Sequence, residues 1–60
     1  MSESIFYIRG WKSPMRYRLE KFSQFHGENI YTVEFFYEMD NRWHTAFDGM
    51  PETELLEKMV

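Results

Sequence analysis

The side chains able to do chemistry in this chain are few and scattered. Its two histidines, His26 and His44, fall in no spacing that a zinc site uses, and the chain has no cysteine to supply a thiolate ligand or a disulfide. Ser2, Ser4, Ser13 and Ser23 lack the Gly-flanked context of a nucleophile elbow. The run "HGEN" at 26–29 is too short for a phosphate-binding loop and is not followed by a helical pattern. Glu52 and Glu54 are close in sequence, but they stand where a helix start favours acidic residues. A chain of 60 residues also has difficulty enclosing a substrate pocket of roughly 300 Å³ or more. The expectation is a non-enzyme with no cofactor and no metal.

Recognition chemistry is better represented. "GWKSPMRYRLEK", residues 10–21, interleaves rings with cations, and Arg9, Trp11, Lys12, Arg16 and Arg18 together make the combination that single-strand nucleic-acid binders use. Against this, the net charge is −3 and is unevenly spread. Residues 1–25 hold five basic and two acidic side chains, whereas residues 26–60 hold two basic and eight acidic ones. An acidic second half repels the phosphates that the first half attracts, and acidic neighbours within the fold suffice to explain Arg16 and Arg18.

The elements that must carry these residues are read from periodicity. "IYTVEFFYEMDNRWHTAF", residues 30–47, alternates β-formers with period two on both sides of "DNR", which predicts a β-hairpin. A loop of Asp40, Asn41 and Arg42 sets Met39 opposite Trp43, Tyr37 opposite Thr45 and Phe35 opposite Phe47, with Glu38 across from His44. Residues 15–25 read as a strand alternating Met15, Tyr17 and Leu19 with Arg16, Arg18 and Glu20, turned by "HGEN". Pairing Phe25 with Tyr31 then brings Leu19 opposite Tyr37, Arg18 opposite Glu38 and Arg16 near Asp40. The alternative makes residues 14–25 a helix capped by Ser13, started by Pro14 and ended by Gly27.

"IFYIRGW", residues 5–11, has strand composition, with Phe6 and Ile8 on one side and Ile5, Tyr7 and Trp11 on the other; a turn follows at Ser13-Pro14. At the far end "MPETELLEKMV" reads as a short helix with Pro51 at its first position, Lys58 in its last turn and a stripe of Leu55, Leu56 and Met59. The fold class expected is therefore α+β: an antiparallel β-meander of three to four strands with a short C-terminal helix, or βαββα on the helical alternative. One domain spanning 1–60 is expected, since a chain this small buries only about 60% of its unfolded surface.

One short helix covers one sheet face, yet Phe36 falls on the face opposite Phe35 and Tyr37, and Ile30 and Ala46 join it. Either the N-terminal strand wraps over them or a partner docks there. Twelve aromatic residues and five Met in 60 residues favour a partner, because these types concentrate at interface centres. The functional expectation is thus a non-catalytic protein-interaction module, an inhibitor or adaptor, contacting a protein or a second copy of itself through Phe36, Ile30, Trp11 and Tyr7. The runner-up is nucleic-acid binding through the basic aromatic half. The N-terminus lacks a secretory pattern and no window approaches the ~18 apolar residues of a membrane span, so a cytoplasmic chain without membrane contact is expected. Small size, absence of cysteine and aromatic richness also fit accessory proteins of phages and mobile elements.

Overall fold

Alternating β-formers between residues 15 and 51 build three antiparallel strands in one open sheet, in a computed structural model that describes residues 5–59. They are β1 (Met15–Ser23), β2 (Glu28–Tyr37) and β3 (Arg42–Pro51), in the order β1-β2-β3, and the helix α1 (Glu52–Lys58) follows β3 directly. Ser2, Ser4 and Val60 lie outside the described residues. The chain is thus an α+β meander with a C-terminal helix. The helical alternative for residues 14–25 does not form, because the sheet uses both the faces and the backbone of this segment. Pro14 carbonyl accepts the Phe36 N–H at 2.9 Å, and Arg16 pairs across the ladder with Glu34.

Both hairpins are closed by four-residue turns of one design. Gly27 N–H donates to Ser23 carbonyl at 2.7 Å, and Asn41 N–H donates to Tyr37 carbonyl at 2.9 Å. The last turn residue is left-handed in each, Gly27 at φ 68 and Asn41 at φ 58, which are residue types that enter this region at low cost. Side chains reinforce the turns: Ser23 Oγ accepts His26 N–H at 3.2 Å, and Asp40 Oδ1 accepts Arg42 N–H at 3.1 Å. The turns therefore occupy residues 24–27 and 38–41, not "HGEN" or Asp40 to Arg42.

This turn chemistry corrects the pairing drawn from the pattern. Phe35 lies opposite His44, Phe36 opposite Trp43 and Val33 opposite Phe47. Leu19 lies opposite Tyr31 and Arg18 opposite Thr32. From Met15 to Leu19 the β1 register slips by six positions from the expected one, an even number, so these side chains keep their expected face; a bulge between Leu19 and Lys21 then makes the slip five, an odd number, and turns Lys21 to Ser23 to the other face. In β3 the outcome differs, because register shifts between Tyr31 and Val33 and between Val33 and Glu34 insert bulges into the strand. Phe47 and Ala46 pack on the helix side while Trp43 goes to the other face, so Ala46 does not join Phe36 as expected. His44 meets Asp40, its Nε2 lying 2.7 Å from Oδ2, and not Glu38.

The core cluster forms on one face, and Ile30 is buried apart from it on the other. Phe6, Ile8, Met15, Val33, Met50 and Leu55 are the cluster's buried members. Residues 5–11 are an arm and not a full strand: Phe6 bridges Met15, Ile8 bridges Met59, and a turn closed by Trp11 N–H to Ile8 carbonyl at 2.9 Å ends the pairing. The arm thus crosses from the β1 edge to the end of α1, above the helix-covered face. It does not wrap over Phe36. Trp11 packs here too, its ring 5.3 Å from that of Phe35 and 5.7 Å from that of Phe47.

Helix α1 has seven residues, and its N-cap Pro51 supplies no side-chain bond. Glu28 supplies it instead, Oε1 accepting both the N–H and the Oγ1–H of Thr53 at 2.8 Å. Glu52 and Glu54 in the first turn and Lys58 in the last complement the helix dipole. Leu55 is buried, but Leu56 is 64% exposed, so the expected stripe loses a member. Two turns give a narrow line of contact, and Leu56 lies about 100° around the axis from Leu55.

Candidate functional site

The sheet face opposite the helix is where the strands leave reactive types together. On β2 the alternation Ile30, Thr32, Glu34, Phe36 points this way, flanked by Arg16, Arg18 and Glu20 of β1 and by Trp43 and Thr45 of β3. No described element packs over it. At one end Phe36 and Trp43, direct ladder partners, meet edge to face with ring centroids 5.4 Å apart. The Arg16 guanidinium lies 4.3 Å over the Trp43 ring, and its Nε donates to Glu34 Oε1 at 2.8 Å. Ion pair and cation–π contact together fix the arginine, so its orientation is set before anything binds.

The middle of the face is polar. Thr32 is buried and its hydroxyl donates to Glu20 Oε2 at 2.8 Å. Above it runs an open groove of about 420 Å³ lined by Arg18, Leu19, Glu20, Thr32, Thr45 and Asp48. A neighbouring depression of about 370 Å³ shares Glu20 and Asp48 and reaches buried Ile30 beside Phe25 and His26. Acids and bases alternate along these walls, and neither hollow encloses a reacting group. Among the described residues no three His, Asp or Glu side chains converge as a metal site requires.

Glu28 and Tyr31, whose titrations are displaced, both serve the helix and not this face. Glu28 is held below the usual carboxylate range chiefly by the Thr53 N–H, then by the Thr53 hydroxyl. Tyr31 is pushed up chiefly by donating its hydroxyl to Glu52 Oε1, at 2.8 Å. Both interactions are scaffolding: they tie α1 to β2.

No family model, curated protein or solved structure matches this chain. The reading of the site rests on its own geometry. Of the four residues expected to contact a partner, the fold brings Phe36 and Ile30 to the open face. Trp11 lies on the opposite side against Phe35 and Phe47, and Tyr7 is exposed on the arm between buried Phe6 and Ile8. The basic set is divided in the same way. Arg16 and Arg18 stand on the open face; Arg9 sits at the end of α1, its N–H donating to Lys58 carbonyl at 3.3 Å; Lys12 borders a hollow near Phe36 and Met39. Trp43 is the residue that pattern reading misses, because alternation assigns it to the Phe47 side. The signal that corrects it is Asn41, whose tolerance of positive φ marks the fourth position of the turn.

Proposed function

We propose that this protein is a non-catalytic interaction module, an inhibitor or adaptor, that docks another protein on its open sheet face. The observation that carries the reading is the Phe36, Trp43 and Arg16 cluster on the face that arm and helix leave uncovered. Trp and Arg are the types that most often dominate binding energy, and the Glu34 bond and the ring contacts restrain these side chains in advance, which lowers the entropy lost on docking. Ile30, at the other end of the same face, is buried and only floors the hollow beside it. Tyr7 and Trp11 belong to other surfaces, so the docking patch is Phe36, Trp43 and Arg16. A cysteine-free chain suits work in a reducing cytoplasm.

The test is affinity capture from the native cell, with and without nuclease, comparing wild type with Phe36→Ala, Trp43→Ala and Tyr7→Ala. One protein retained by wild type and Tyr7→Ala, resistant to nuclease and to salt, and lost with both ring truncations is the expected result. Phosphate binding behaves otherwise, since log affinity for single strands falls with log salt at roughly −0.7 per contact. Tight oligonucleotide binding at physiological salt that Arg16→Ala with Arg18→Ala abolishes overturns the reading.

A further inference from the structure

Phe25, in the turn between β1 and β2, packs on nothing that holds the fold. Its surface is 92% exposed, more than that of any other large apolar side chain among the described residues, and its ring meets only the edge of the His26 ring, 5.1 Å away. The turn is closed through Ser23 and Gly27 without it. A lone exposed ring needs no explanation, but this one stands at the mouth of a hollow. On the open face beside it lies the depression of about 370 Å³, walled by Glu20, Lys21 and Asp48 and floored by Ile30. Two irregularities flank this hollow: the register shift between Leu19 and Lys21, and the shift between Tyr31 and Val33, across from which β3 carries Gly49. Gly49 brings no side chain, and a Cβ there would meet nothing within 4 Å. Knob and hollow thus occupy one patch at the β1–β2 turn end of the sheet.

We propose that two copies of this chain associate about a two-fold axis, each setting its Phe25 ring into the hollow of the other. A patch that holds both halves of a contact is self-complementary, which is what an isologous interface requires. The hollow has the room, since volumes of roughly 300–1,000 Å³ hold whole small ligands. Charge permits the fit: Glu20 and Asp48 wall the hollow, and the entering turn, Gln24 to Gly27, carries no acid to repel them. The other hollow with apolar lining, about 290 Å³ between Pro14, Phe36 and Met39, lies at the far end of β2. A turn docked there leaves the next turn free, so the contact does not close and builds filaments. Two rings of roughly 150–250 Å² each, with a matching area of hollow, bury about 600–1,000 Å² in total, so the dimer is weak and concentration-dependent. Ile30 is six residues from Phe36, about 20 Å along the strand, and the contact is therefore separate from the Phe36, Trp43 and Arg16 patch.

Sedimentation of the full chain across a concentration series tests this. The average mass is expected to rise toward two chains and stop there. Phe25→Ser, at a side chain that the fold does not use, should stay at one chain over the same range while melting like wild type at low concentration. Asp48→Arg, which narrows the hollow from its exposed wall, should weaken dimerisation about tenfold or more. In a mixture of isotope-labelled and unlabelled copies, filtered nuclear Overhauser contacts should join the Phe25 ring of one copy to Ile30 and Gly49 of the other. Phe36→Ala should leave the dimer intact, and Phe25→Ser should leave partner capture intact, so the two surfaces fail separately. A wild type that stays monomeric at millimolar concentration overturns the proposal, as does a dimer indifferent to Phe25→Ser or a mass that keeps growing beyond two chains.

Discussion

Met15 is fully buried under the arm, bonded through its backbone to Phe6 and packed with Val33, the other fully buried side chain. Truncating a buried Met to Ala costs about 2–5 kcal/mol, a large share of the ~5–15 kcal/mol that holds a small domain together. Met15→Ala is accordingly expected to lower the urea midpoint sharply, whereas Phe36→Ala, on the open face, should melt close to wild type. Equal midpoints for the two variants would place the core on the wrong side of the sheet. Tyr31 offers a second, spectroscopic test. A phenol whose folded value is raised contributes stability below its ordinary value of about 10, and that contribution is lost as pH rises through the folded value. In an ultraviolet titration one of the four tyrosines should ionise later than the rest, and Glu52→Ala should bring it back toward them.

The two turns and the helix start are each held by a small number of groups. A Cβ at Gly27 meets nothing within 4 Å, so the cost of Gly27→Ala is purely that of φ 68, about 1–2 kcal/mol in the left-handed region. Asn41→Gly should cost little or nothing, because glycine enters φ 58 freely. Chemical denaturation of both variants checks the asymmetry. At the helix start, Glu28 has a folded value below its ordinary one, so its contribution is present above about pH 4.3 and is lost as pH falls through the folded value. Amides of residues 53–58 should therefore lose protection in acid before those of β2, and Glu28→Ala should reproduce that loss at neutral pH. Unchanged helix protection in Glu28→Ala would mean that Thr53 finds another acceptor.

For the molecule as a whole, covering one face of a three-stranded sheet leaves little apolar burial in reserve, so losses in that core are not offset elsewhere. The charge distribution completes the picture: Arg16, Arg18 and Lys21 line β1, while Glu52, Glu54 and Glu57 lie on the helix and Glu38 and Asp40 in the second turn. No helix among the described residues is long and apolar enough to cross a membrane.

Period-two alternation pointed to the strands, the meander and the faces of the side chains from Met15 to Leu19 and along β2, because a pleated strand leaves only two directions for a side chain, while Pro51 and Leu55 marked the C-terminal helix. Phe36 was legible as a residue of the uncovered face for that reason, and Ile30 as one of the same face, where it is buried. Register was not, since it depends on how each turn closes and on where a strand takes an extra residue. Asn41 at positive φ and the bulges of β3 moved Trp43 beside Phe36 and sent Ala46 to the core. The path of the arm was likewise a tertiary matter: Phe6, Ile8 and Trp11 have strand composition, but Met15, Met59 and the Phe35–Phe47 pair decide which side they cover. Local pattern sets which way a side chain points along its own strand; only the packed sheet, which gains by burying Met15 and Val33 on one side, decides what stands across from it.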